Sequence, residues 1–203
     1  MKDRRRTFSN AVSRRGFIGT GAAAALTLPL VGEQSDAAPD TRASLAYMKK
    51  AAKDLLDAHR IGTVASFLRV IQRYADIPQI ALYSLGQYQS RLPEALRDSY
   101  YRGVAVFMSR YFADESRQYP IAKYELGEPS TDGDDVLITS KVYLMSGETY
   151  NVNWRLAFKN KSYKITDVKV LGFSLVYLQR GLFTSYLSKR NGDIGQLVTA
   201  LNR

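Results

Sequence analysis

The 203-residue chain contains no cysteine. That one absence removes disulfides, thiolate metal sites and thiol nucleophiles together. Export stays open, because a domain of this size folds without disulfide staples. Histidine occurs once, at His59. A zinc site built on a histidine pair is thereby excluded, and a Ser-His-Asp triad would have to run through that residue. Its position at the end of an expected helix has a plainer meaning, a charge that suits the negative end of the helix dipole. No glycine-rich phosphate loop follows a strand pattern. Asp132, Asp134 and Asp135 surround Gly133, but they lack the spacing and terminal Glu of an EF-hand and read as a solvated turn. No cofactor or metal site is expected.

The formal charge is +10, from 29 basic and 19 acidic residues. Part of it sits at the N-terminus. Ser13-Arg14-Arg15-Gly16-Phe17-Ile18-Gly19 fits the twin-arginine pattern, an Arg pair followed after one spacer by a hydrophobic dipeptide. An apolar stretch over residues 17–31 follows, short of the ~20 residues a membrane span needs and weakly hydrophobic, as a signal region is. Ser35 and Ala37 supply small residues at −3 and −1 of a cut after Ala37. Residues 1–37 therefore read as a twin-arginine signal peptide and 38–203 as the functional domain, located in the periplasm. That route carries folded cargo. Removing the leader's six basic and three acidic residues leaves +7, which favours anionic partners. The remaining cations are dispersed, with no run beyond pairs such as Lys49-Lys50 and Lys189-Arg190. Aromatics beside cations, as at Arg73-Tyr74 and Arg110-Tyr111, form no interleaved pattern, so nucleic acid is not an expected partner.

The 38–203 region divides by period. Asp40 or Thr41 caps a first helix with Leu45, Met48, Ala52, Leu55 and Leu56 at helical spacing, and Gly62 ends it. Thr63 caps a second, holding Phe67, Ile71 and Tyr74. Pro78 lies near the start of a short third, and Pro93 opens a long fourth with Leu96, Tyr100, Val104, Phe107 and Tyr111 on one face. The pattern then changes. Residues 136–145 are apolar on both faces. Tyr150, Val152, Trp154, Leu156 and Phe158 alternate with more polar positions, the signature of an antiparallel strand with one wet face. Asn160-Lys161 is a tight turn. In the next strand the apolar phase shifts between Ile165 and Val168, which implies a bulge near Asp167. Ser174 caps a helix that Asn191-Gly192 stops, and Asp193 caps a last short one. The layout is α+β in one domain. Its surplus of large apolar side chains reads equally as plain core or as a pocket for an apolar ligand.

The C-terminal stretch carries a resemblance. Asp167-Val168, then Gly172-Phe173-Ser174-Leu175-Val176, then Arg180 and Phe183, with the closing Gly192-Asp193-Ile194, Leu197 and Leu201, resemble the MlaC family. These are periplasmic phospholipid-binding components of lipid-transport ABC systems, also described as toluene-tolerance auxiliary proteins. Upstream, Leu85-Gly86-Gln87-Tyr88, Pro93, Phe107 and Tyr111 are similar to its helical half. Gln179 departs from the family, which has an aromatic there, and so does the Tyr100-Tyr101 pair. The resemblance implies a helical N-terminal half packed on a curved antiparallel sheet, nuclear transport factor 2-like, with C-terminal helices closing a lipid cavity. It implies a phospholipid carrier, not an enzyme, whose partners are an inner-membrane lipid ABC transporter complex and an outer-membrane lipoprotein complex.

Nine residues are expected at the ligand: Phe107, Tyr111, Val142, Leu144, Val152, Trp154, Leu156, Phe158 and Arg180. Arg180 would meet a phosphate near the mouth or pair with Asp167. Two other readings stand beside the carrier. One is a carrier of hopanoid or sterol-like lipid, which shares the fold. The other is a periplasmic isomerase, which would need a carboxylate base in the pocket, with Asp167 the near candidate.

Overall fold

A computed structural model of the protein describes residues 40–203. The expected twin-arginine leader and the expected cut after Ala37 lie outside them. Helix α1 (Thr41–Ile61) starts where Asp40 accepts the N–H groups of Arg42 and Ala43, and ends at Gly62 with φ 67°, a left-handed cap that glycine supplies at least strain. Thr63 then accepts the N–H of Ser66 and opens α2 (Val64–Tyr74). Asp76 caps α3 (Ile77–Ser84), with Pro78 in its first turn. Two 3₁₀ turns, Gly86–Arg91 and Glu94–Leu96, lead into α4 (Arg97–Gln118). Pro93 thus opens a short turn, and the long helix begins four residues later.

The strands are β1 (Ile121–Leu126), β2 (Ser130–Asp132), β3 (Asp135–Leu144), β4 (Thr149–Lys159), β5 (Ser162–Val170) and β6 (Phe173–Ser174). They form one antiparallel sheet in the order β1-β3-β4-β5-β6. Strand β4 occupies one edge of β3, so β1 and β2 both lie along the other. They are one interrupted strand, bridged where the Gly127 N–H donates to the Thr139 carbonyl at 2.8 Å. Neither stands out in the hydrophobic pattern: β1 alternates only over Lys123–Leu126, after an irregularity that breaks its phase from Ile121, and β2 is exposed throughout.

Between β4 and β5, Arg155 faces Asp167 while Leu156 faces Ile165. Thr166 is the extra residue, one position from the expected bulge. The bulge resets the side-chain phase: Tyr163 and Ile165 before it, and Val168 and Val170 after it, all join the same core cluster. Helices α5 (Leu175–Ser188), capped by Ser174, and α6 (Ile194–Leu201), capped by Asp193, complete the chain.

Three apolar clusters hold these elements. The inner face of the sheet packs with Met48, Ala51 and Ala52 of α1. Phe67 and Ile71 of α2 meet Ala58, Ala105 and Ala113 of α1 and α4. Leu85, Tyr100, Val104, Phe183, Leu187 and Leu197 join α4, α5 and α6 to the segment after α3. The third cluster carries α5 against the helices, which leaves the start of that helix free to rim the open end of the sheet.

Candidate functional site

The sheet's inner face is not wholly covered by α1. Where α1 ends, a cavity of about 740 Å³ opens between sheet and helices. Its floor is the sheet: Val142 and Leu144 of β3, Val152 and Trp154 of β4, Val168 and Val170 of β5. Leu55, Leu56 and His59 of α1 and Tyr111, Phe112 and Glu115 of α4 form the helical wall. Leu171, Phe173, Leu175 and Leu178, from the β5–β6 turn to the first turns of α5, form the rim. The wall is predominantly apolar, and among the described residues no Lys or Arg contributes to it.

Some of the polar groups on the wall are satisfied from within. The indole N–H of Trp154 donates to the Ser140 hydroxyl at 2.9 Å, so the ring presents an apolar face without a dangling donor. The Tyr150 phenol is pushed up by burial and by the neighbouring Glu115 carboxylate, so it stays neutral. His59 accepts the backbone N–H of Ile121 through Nε2 at 3.1 Å. An accepting ring nitrogen carries no proton, and burial lowers the His59 pKa. The expected role as a cation at the helix end is therefore replaced. His59 is a neutral imidazole that ties the end of α1 to the start of β1 and lines the cavity.

Of the nine expected residues, Tyr111, Val142, Leu144, Val152 and Trp154 stand on the wall. The other four are elsewhere. Phe107 packs edge-on against Phe183, ring centres 5.2 Å apart, in the helical core. Leu156 is fully buried in the packed part of the sheet core. Phe158 is 57 % exposed near the end of β4, against Tyr163. Arg180 lies over the ring of Tyr83 at 4.9 Å. Two residues beyond Leu178, its side chain is turned ~200° around the helix from the rim.

Asp167 does not meet Arg180. It accepts the Ser174 hydroxyl at 2.9 Å and the N–H groups of Val168 and Val176. These bonds clamp β5 to the start of α5, and Asp167 is not on the cavity wall. The condition set for an isomerase base, an unpaired carboxylate facing the pocket, is not met at this residue. Asp132 and Asp135 both pair with Arg155, at 2.5 and 2.8 Å.

Other wall residues had a weaker signal. Tyr150 shares the β4 period with Val152 and Trp154. Leu171 and Phe173 flank a turn glycine where polar residues are the norm. Nothing in the sequence places His59 or Tyr124 there.

Comparison with known proteins follows the same lines. A phospholipid-binding protein from Ralstonia solanacearum, solved at 1.53 Å in complex with a phospholipid, shares the fold with a TM-score of 0.64. Identity is 20 %, over 81 % of this chain and 96 % of that one. No curated protein matches the chain. The family model described as MlaC protein matches residues 42–203. The α+β fold with a helical N-terminal half, the Gly-x-Ser-Leu-Val stretch that turns β5 into α5, and this match over most of the chain together place the protein in the MlaC family.

Proposed function

We propose that the protein is a non-catalytic periplasmic carrier that holds a phospholipid by its acyl chains. The observation that carries this reading is the apolar cavity of about 740 Å³ roofed by α1, α4 and α5. Each methylene withheld from water is worth about 0.8 kcal/mol, so two chains of ~16 carbons represent on the order of 25 kcal/mol. A lipid does not cross an aqueous compartment alone at a useful rate against that penalty. The volume lies in the upper part of the ~300–1,000 Å³ range of ligand sites. With no Lys or Arg on the wall, the phosphate group stays at the mouth in water and the chains go in. The Ralstonia protein, which binds phospholipid on the same fold, supports the reading.

The carrier exchanges cargo in turn with an outer-membrane lipoprotein complex and an inner-membrane ABC transporter complex, as the family resemblance implies. Exported already folded behind its twin-arginine leader, it loads only at the membranes it serves. The test is native purification, solvent extraction and mass spectrometry of the extract. A two-chain phospholipid is expected. A hopanoid mass would change the cargo, and an empty extract together with no uptake from liposomes would remove the reading.

A further inference from the structure

The rim of the cavity continues outward into an exposed apolar ridge. Leu171, Phe173 and Leu178 line the mouth and yet are 70 %, 66 % and 51 % exposed. Tyr177 and Leu182 extend the ridge along α5, beyond the cavity wall. Several local choices here are unfavourable for the isolated protein. Leu171 sits at φ 51°, the left-handed region that branched apolar residues avoid. The other three non-glycine residues in that region are Asn160 and Asn191, of the type that tolerates it, and Lys161, in the tight β4–β5 turn. Gly181 interrupts a helix, and a Cβ there would touch nothing within 4 Å, so no packing in this chain requires it.

Charge on the same segment is one-sided. Between Asp167 and Asp193 there is no acidic residue, whereas Lys169, Arg180, Lys189 and Arg190 supply four cations. Lys169 and Lys189 are exposed. The cavity's own carboxylates, Glu115 and Glu148, belong to α4 and to the β3–β4 turn, not to this segment. Apolar side chains on one helix face, accompanied by cations and no anions, are the pattern that seats a helix at the interface of an anionic bilayer.

We propose that the β5–β6 turn and the outer face of α5 dock directly on an anionic membrane surface, with Leu171, Phe173, Leu178 and Leu182 entering the headgroup region. The proposal builds on the carrier reading. The residues that enter the bilayer are in part those of the cavity mouth, so an acyl chain passes from one apolar phase to the other along a continuous apolar path. Lys169, beside the turn, and Lys189, seven residues from Leu182 and so on the same helix face, hold the mouth against the surface, and raised salt weakens that hold.

The test is flotation of the full mature protein with phosphatidylcholine vesicles, with and without phosphatidylglycerol. Binding is expected to the mixed vesicles only and to fall as salt rises. Leu182→Glu lies off the cavity wall and on the surface, so it is expected to leave the melting temperature and co-purified lipid unchanged while weakening vesicle binding about tenfold, the equivalent of withdrawing one large apolar side chain from the interface. Lys169→Ala with Lys189→Ala is expected to flatten the salt dependence. Wild-type binding to neither vesicle, equal binding to both, or full binding by Leu182→Glu would overturn the docking surface. So would attachment that needs a protein receptor in the vesicle. Lipid in the extract of a protein that does not bind vesicles would overturn docking and leave the carrier reading standing. Vesicle binding with an empty extract would do the reverse.

Discussion

Trp154 is the chain's only tryptophan, and it stands on the cavity wall. It is therefore a built-in reporter. Stripping the cargo is expected to move its emission to longer wavelength, and adding back phospholipid to reverse the shift. Trp154→Ala should destabilise the protein by about 3 kcal/mol, the low end for such truncations, because one side of the ring already borders open space; chemical denaturation measures it. His59 adds a pH dependence. Its pKa is lowered in the fold, so the unfolded chain binds the extra proton and stability falls as pH drops. The loss starts below the ordinary histidine value of 6.5 and continues to the depressed folded value. The carboxylates held low, Asp57, Glu125 and Asp193, act only at more acid pH. Melting temperature is therefore expected to decline between about pH 7 and pH 5, and His59→Gln to remove most of that slope. Gln179, where the family has an aromatic, is nearly fully buried and donates to the Ser84 hydroxyl at 2.7 Å, which in turn donates to the Ile80 carbonyl. A hydrogen-bonded pair stands here in place of a ring, and Gln179 is not on the cavity wall.

Among the elements, the segment from β5 to α5 concentrates both the structural and the functional constraints. Ser174 caps α5 and also donates to Asp167, so Ser174→Ala is expected to cost about 1–2 kcal/mol, measured by denaturant titration. Relieving the ridge should act in the opposite direction. Leu171→Asn and Gly181→Ala are each expected to stabilise the protein by about 0.5–1 kcal/mol. A site that gains stability when made conventional is one held for function. The helices and four of their caps were legible because Asp40, Thr63, Ser174 and Asp193 each accept a backbone N–H two or three residues on, a purely local event; the cap of α3 by Asp76 was not read, since Pro78 alone marked that helix. Strands β4 and β5 were legible by alternation, whereas β3 was legible only as an apolar run: its burial alternates, with Thr139 and Lys141 exposed, and is not two-sided as expected. Strand β1 was not legible, since its alternation lasts only from Lys123 to Leu126 and an irregularity separates it from Ile121. The cavity was only partly legible for a related reason. Period tells which face of β4 is covered, and Trp154 and Leu156 share that face. Whether the cover is a packed helix or an open space depends on where α1 ends, three-dimensional information that two adjacent strand positions do not carry.

For the molecule as a whole, the division of labour follows from where the helices pack. Clusters of the helical half fix α4 and α5 without filling the space over the far end of the sheet. The cavity is thus part of the folded architecture, with its rim at the first turns of α5. Among the described residues no helix is long and apolar enough to cross a membrane. A carrier must release what it binds, and an entrance rimmed by a strained turn provides a part that can yield without unfolding the core.

Occupancy of this cavity by lipid is measured most directly by native mass spectrometry of the mature protein beside a variant whose cavity is filled, Val142→Phe with Val152→Trp. Both side chains face the cavity from the sheet floor, and the added rings narrow the space an acyl chain would enter. The wild type is expected to carry one phospholipid per chain, and the variant to fold with an equal melting temperature and carry none. A folded variant that retains the same lipid at the same stoichiometry would contradict the assignment of this cavity.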